Sequence, residues 1–246
     1  AAPTSRGPRA LIFFDWDDSL FPTSWFERQL ADAAQAPAAA GATAKANARA
    51  GAAGAASDPA HALAEHAAVL KELLRQAASL GQVSVVTLAE RPWVLDSARQ
   101  HLPEVADAVA ELDVRYARDF AAPSELAALA QGDVRVAPPC SWKGLKRRAM
   151  ERVAEERLSE LGAWRAWESL ISIGDSEIER LAAKELGLAL ADRGVVRYVK
   201  TVKLVEEPVP ARLTAQAREL CRRLREIVDH PGSRHYSAAY LMPPRF

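Results

Sequence analysis

Three carboxylates, Asp15, Asp17 and Asp18, follow directly on the apolar run Leu11-Ile12-Phe13-Phe14. Like charges a few ångströms apart raise each other's pKa, so packing them at the end of a buried strand costs electrostatic energy. A metal ion, a phosphate-handling site or a solvated turn would each account for them. Three more polar groups stand at comparable places in the chain. Thr87 closes the apolar run of "SVVTLAER", Lys143 stands at a helix start in "PPCSWKGLKRR", and Asp175 follows Gly174 in "LISIGDSEIE". Two groups of acids, a hydroxyl and an ammonium, far apart in sequence, thus share one kind of position.

The elements that must bring them together are legible as short apolar runs alternating with helical patterns. The runs cover residues 10–15, 82–87, 112–117, 169–174 and 195–200, with a weaker candidate at 133–137. Strands separated by helices predict an α/β fold: a three-layer α/β/α, Rossmann-like sandwich on a mostly parallel sheet. In such a sheet, residues just past the strand ends converge on one crevice. Ser24 with Glu27 forms a capping-box pattern that starts a helix near Trp25. Asp58-Pro59 reads as N-cap and first helical residue of a helix to Leu80, stopped by Gly81. Ser141 caps a helix through residue 158, and 213–228 has helical periodicity.

One α/β domain over residues 10–230 is therefore expected, after an N-terminal arm at 1–9. Residues 31–57 form an insert in which 31–56 contain 16 alanines, with Pro37 and three glycines to break helix. With almost nothing large to bury, it reads as a linker. Residues 231–246 read as an extended tail docked by Tyr236, Tyr240 and Phe246, which could meet a protein partner.

The order and spacing of the polar groups resemble the haloacid dehalogenase-like (HAD) superfamily of aspartate-nucleophile phosphohydrolases. Its first motif is matched by Asp15-Trp16-Asp17-Asp18-Ser19, with Ser in the usual Thr/Val place. Thr87, Lys143 and Gly174-Asp175 with Glu179 match the three later motifs, over about residues 10 to 200. The resemblance implies a Mg²⁺-dependent phosphomonoester phosphatase or phosphotransferase. Asp15 would attack phosphorus to form an aspartyl-phosphate, and Asp17 would act as general acid and base. Thr87 would donate a hydrogen bond to the phosphoryl group, and Lys143 would neutralise its charge. Mg²⁺ would be held by Asp15, Asp175 and the backbone carbonyl of Asp17, hard oxygen ligands that offset the repulsion among the acids. Superfamily members often carry a cap domain between the first two motifs; here the interval leaves two helices and a linker, so the cap is minimal or absent. The open site would admit a phosphorylated small molecule or a phosphoprotein.

Simpler readings stand beside these. Asp18 is a solvated or helix-starting acid. Glu179 and Ser176 either surround the metal or form a capping box that serves only the helix. A Lys in the first helical turn opposes the macrodipole, which favours a role for Lys143, with Lys146 the substitute if the helix starts later. Arg91 before Pro92 is an ordinary helix start. Lys200 and Lys203 read as solvent-facing, and His61, His66, His101, His230 and His235 as surface residues without ligand spacing. Trp93, Trp142, Trp164 and Trp167 read as core or interface.

Composition narrows the partners. Among 246 residues, Lys plus Arg and Asp plus Glu both number 32, which gives no support to nucleic-acid binding. No apolar stretch approaches the roughly 20 residues of a membrane helix, so a soluble chain without a membrane partner is expected. Cys140 and Cys221 lack metal spacing and suit a reducing compartment. The opening "AAPTSRGPRA" has no signal-peptide core, and the location in the cell is not legible. Two further classes remain open: a catalytically idle binding or scaffold subunit of the same fold, and a cation-binding module without chemistry. The second lacks the glycine-punctuated loop of such sites.

Overall fold

The computed structural model describes residues 9–35, 59–132, 141–161 and 167–242. Six strands form one sheet: β1 (Ala10–Phe14), β2 (Gly81–Thr87), β3 (Asp113–Tyr116), β4 (Ser169–Gly174), β5 (Tyr198–Lys203) and β6 (Arg234–Tyr236). Every neighbouring pair is parallel, in the order β3-β2-β1-β4-β5-β6. The helices are α1 (Thr23–Gln35), α2 (Pro59–Leu80), α3 (Trp93–His101), α4 (Pro103–Ala110), α5 (Pro123–Ala130), α6 (Trp142–Leu161), α7 (Glu177–Asp192), α8 (Pro210–Asp229) and α9 (Ala238–Leu241).

The unbroken apolar character of β1 follows from burial on both faces. Ile12 and Phe14 pack with Leu70 and Leu73 of α2, Val94 of α3, Val105 of α4 and Leu224 of α8. Leu11 and Phe13 point the other way, against Leu145 and Val153 of α6 and Leu186 of α7. Each such side chain contributes on the order of 1.5–3 kcal/mol by leaving water, so register in this strand is fixed from two sides. The expected three-layer α/β sandwich is therefore present.

Strand order reverses between β1 and β4, because the chain leaves β1 toward β2 on one side and returns to β4 on the other. A crevice opens at the carboxyl ends of the strands at such a point. Asp15 and Asp175 are the first residues beyond β1 and β4, and the Asp15 amide still donates to the Ile173 carbonyl at 2.9 Å.

Several sequence expectations need correction. The fifth strand starts at Tyr198 rather than 195, because Val195 and Val196 are buried in the turn before it. Residues 234–236 are not an extended tail. They add β6 in parallel to β5, with Tyr236 buried, and α9 follows. Helix α1 starts at Thr23, so Ser24 lies inside it rather than capping it. Residues 31–35 of the expected insert belong to α1; the rest of the insert, the weak strand at 133–137, Cys140, Trp164 and Phe246 lie outside the described residues. No described helix is long and apolar enough to cross a membrane.

Candidate functional site

The cluster at the crevice is built around Lys146. Its side chain is 1% exposed, and its Nζ lies 2.6 Å from Asp15 Oδ1 and 2.6 Å from Glu179 Oε1. Burial alone would depress the Lys146 ammonium; the two carboxylates outweigh it and hold its pKa above the ordinary lysine value. Burial pushes the Asp15 carboxyl well up, and Lys146 offsets only part of this, since Glu179 and Asp17 add repulsion. Glu179 goes the other way: burial is again the largest influence, but Lys146 and Ser176 together hold its carboxyl low. Lys146 offsets the rise of Asp175 only in part. Burial first, then Glu179 and Asp18, push it up to about 7.

Glu179 serves two structures at once. Its Oε2 accepts from the Ser176 amide at 3.0 Å, and the Ser176 hydroxyl accepts from the Ile178 amide at 3.1 Å, so the capping box of α7 forms. Its other oxygen enters the cluster. Gly174 makes this approach feasible, because a Cβ there would stand 2.7 Å from Glu179 Cγ.

The second acid of the first motif is held by a separate set of donors. Asp17 Oδ1 accepts from Thr23 Oγ1 at 2.6 Å and from Trp93 Nε1 at 2.8 Å, and Oδ2 accepts from Thr87 Oγ1 at 2.8 Å. Thr87 is itself fixed by the Ala89 amide at 2.9 Å. The Thr87 hydroxyl proton is thus directed at Asp17. Ser19 ties the β1 loop to the β4 loop: its hydroxyl lies 3.2 Å from Asp175 Oδ1 and accepts from the Asp175 amide at 3.0 Å. Asp18, with a positive φ of 52°, is buried and accepts from the Ser24 amide at 3.0 Å and from the Ser24 hydroxyl. It is the helix-starting acid of α1, six residues back, and is not solvated.

The structure brings Asp15, Asp17, Thr87, Asp175, Ser176 and Glu179 together and leaves Lys143 out. Lys143 pairs with Glu185 of α7 at 2.5 Å on a partly exposed surface. Helix α6 does begin at Trp142, but Lys146 shares its buried stripe with Leu145, Ala149, Met150 and Val153, so Lys146 faces the crevice. That stripe was the available sequence signal. As partners of Asp17, Thr23 and Trp93, 6 and 76 residues away, gave none, and Ser19 was read only as the last residue of the first motif.

Among the other assignments, Lys200, Lys203 and His66 change. Lys200 is fully buried, its Nζ donating to the Val228 carbonyl at 2.8 Å near the end of α8, and burial lowers it to about 8. Lys203 binds the Asp175 carbonyl and pairs with Glu206 at 2.7 Å, bracing the β4 loop rather than facing solvent. His66 is buried, bonded to the Leu20 carbonyl at 2.9 Å and to Thr214 at 3.3 Å. His101 stacks near Phe26, 4.2 Å between ring centres, while His61 is exposed. Arg91 pairs with Asp119 at 2.6 Å and lies over Tyr116, away from the cluster. Trp167 is core, with Nε1 on Gln82 at 2.9 Å.

One oxygen from each of Asp15, Asp175 and Glu179 lies within 4.8 Å of the others. An all-oxygen, acid-rich set suits a hard divalent cation, and the Asp175 carboxyl is raised by burial first and then by negative charge that Lys146 offsets only in part. Lys146 already engages one oxygen of Asp15 and one of Glu179, and Ser176 engages the other Glu179 oxygen. No family model matches this chain, and the comparisons with curated proteins and with solved structures give no match.

Proposed function

We propose that this chain is a Mg²⁺-dependent phosphohydrolase of the HAD-like type, which cleaves a phosphomonoester through an aspartyl-phosphate on Asp15. The observation that carries the reading is convergence. Residues from the ends of β1, β2 and β4 and from α6 and α7 meet at the one place where strand order reverses, and they comprise a nucleophile, a second acid, an ammonium and a cation-binding oxygen set.

Each residue then has a task. Lys146 holds Asp15 Oδ1, which leaves Oδ2 as the atom that attacks phosphorus. As the phosphoryl group moves to Asp15, the departing ester oxygen takes a proton from Asp17. Water next attacks the phosphorus, gives its proton to Asp17, and the bond to Asp15 breaks to release phosphate. Thr87, Thr23 and Trp93 fix the Asp17 carboxyl for both steps, so Thr87 acts on Asp17 and not on the phosphoryl group. Lys146 replaces Lys143 as the ammonium that balances phosphoryl charge. A Mg²⁺ held by Asp15, Asp175 and the Asp17 carbonyl, with Glu179 beside it, would polarise a phosphoryl oxygen and offset repulsion between substrate and acids.

The same contacts support a second reading. All three hydrogen bonds on Asp17 come from within the chain, which also suits an idle binding subunit of this fold. Hydrolysis of an aryl phosphate with Mg²⁺, against EDTA and against Asp15→Asn, decides between them. The phosphohydrolase reading requires metal-dependent turnover that Asp15→Asn abolishes. Turnover that survives in Asp15→Asn rejects the aspartyl mechanism, and no turnover together with no Mg²⁺ binding by calorimetry favours the idle subunit.

A further inference from the structure

A second cavity lies on the far part of the sheet, away from the acid cluster. Among the described residues, two long helices, α6 and α7, cover this face of the sheet, and α7 lies over β4 and β5, with Gly187 against Val199. β6 extends past it. A cavity of about 270 Å³ remains between α7 and this uncovered corner, lined by Arg180, Lys184 and Leu188 of α7, Val199 and Thr201 of β5, and His235 of β6, with Ser233 and Arg234 at the rim.

Its chemistry is two-sided. Arg180, Lys184 and Leu188 are four residues apart, so one column of α7 faces the cavity. Leu188 is 56% exposed, one of few large apolar side chains left open to water. Against this apolar floor stand Arg180 and Lys184. Arg180 pairs with Glu177, and among the described residues no ion pair takes up Lys184. The Arg234 guanidinium lies over Tyr236 and Tyr240 on the opposite face of the sheet. One acid, Glu177, thus faces two cations. The His235 ring is bonded through Nδ1 to Thr201 at 2.9 Å; partial burial first, then Arg180 and Lys203 against Glu177, hold its pKa below the usual histidine value.

We propose that this cavity binds a small organic anion, a phosphate or carboxylate carried on an apolar group, with the head between Lys184 and Arg180 and the apolar part on Leu188 and Val199. The volume lies near the lower end of ligand pockets, roughly 300–1,000 Å³, which fits a ligand of one ring or a short chain. The site shares no residue with the acid cluster and does not depend on the phosphohydrolase reading.

Phenylphosphonate and phenylacetate are suitable probes, with benzyl alcohol as the neutral analogue, all tested in EDTA. The readout is the His235 ring resonance, assigned with His235→Gln, alongside calorimetry. Expected is a saturable shift of His235 by at least one anion, absent with benzyl alcohol and weakening as salt is raised. The anion that binds more tightly identifies the head group. Lys184→Glu is an exposed change away from the acid cluster and should weaken binding about tenfold or more, whereas Arg234→Glu, on the opposite face of the sheet, should not. The proposal is overturned if neither anion shifts His235, if the alcohol binds as well as the anions, or if Lys184→Glu leaves affinity unchanged.

Discussion

Replacing Lys146 by Met keeps the length of the side chain and removes its charge, which leaves Asp15 and Glu179 buried without a cation. Lys146 lies 2.6 Å from an oxygen of each, and breaking a buried pair by removing one partner costs about 3–5 kcal/mol. In a protein of this size each kcal/mol shifts the Tm by roughly 2–4 °C, so Lys146→Met should melt about 6–20 °C lower at pH 8 in EDTA. The sign of the pH dependence follows from Asp15. Its carboxyl is already raised in the folded state, so the penalty of ionising it is present above that folded pKa and is relieved as protons bind below it. Without Lys146 the carboxyl rises further, and the gap between variant and wild type must narrow as pH falls from 8 to 5. Mg²⁺ should narrow it as well, by supplying positive charge to the same oxygens. Thermal unfolding by circular dichroism at both pH values, with and without Mg²⁺, reads all three effects. An unchanged Tm at pH 8, or a gap that widens on acidification, would refute the placement of Lys146 as the cation of this cluster.

Three further outcomes are expected. Asp175 is held up to about 7 and must be ionised to bind a cation, so Mg²⁺ binding should release protons near pH 6.5 and strengthen toward pH 8; calorimetric heats that do not depend on the buffer's ionisation enthalpy would contradict this. Lys143→Ala removes only a partly exposed pair with Glu185 and should cost no more than about 1 kcal/mol, with kcat/KM for an aryl phosphate unchanged beside its loss in Lys146→Met. Gly174→Ala places a Cβ 2.7 Å from Glu179 Cγ, so it should destabilise by about 1–3 kcal/mol and weaken Mg²⁺ binding; a variant that melts and binds like wild type would show that Glu179 shifts without consequence.

What the sequence disclosed follows from which interactions are local. β1 and β4 were legible because burial on both faces writes a continuous apolar run, and Asp15, Thr87 and Asp175 were found because each directly follows or closes such a run. β6 was hidden: Arg234, His235 and Tyr236 carry no hydropathy signal, and their pairing with β5 spans more than thirty residues of chain. Lys200 and His66 were misread for a related reason, since a buried polar side chain is explained by its distant acceptor, the Val228 and Leu20 carbonyls respectively. Lys143 drew attention through its position against the helix dipole. The apolar stripe of α6 carried the better information, because Leu145, Ala149, Met150 and Val153 place Lys146 on the face that meets the sheet. That Thr23, Thr87 and Trp93 donate to Asp17 could not be read, as the three come from different elements.

The central claim is that Asp15 becomes covalently phosphorylated. The most direct measurement is acid-quenched turnover of an aryl phosphate with Mg²⁺, followed by mass spectrometry of the intact chain and of the peptide that carries residues 11 to 20. Expected is one phosphoryl group on Asp15 in wild type, present only with Mg²⁺ and absent in Asp15→Asn. Turnover with no phosphoryl group on that peptide, or a phosphoryl group on another residue, would contradict it.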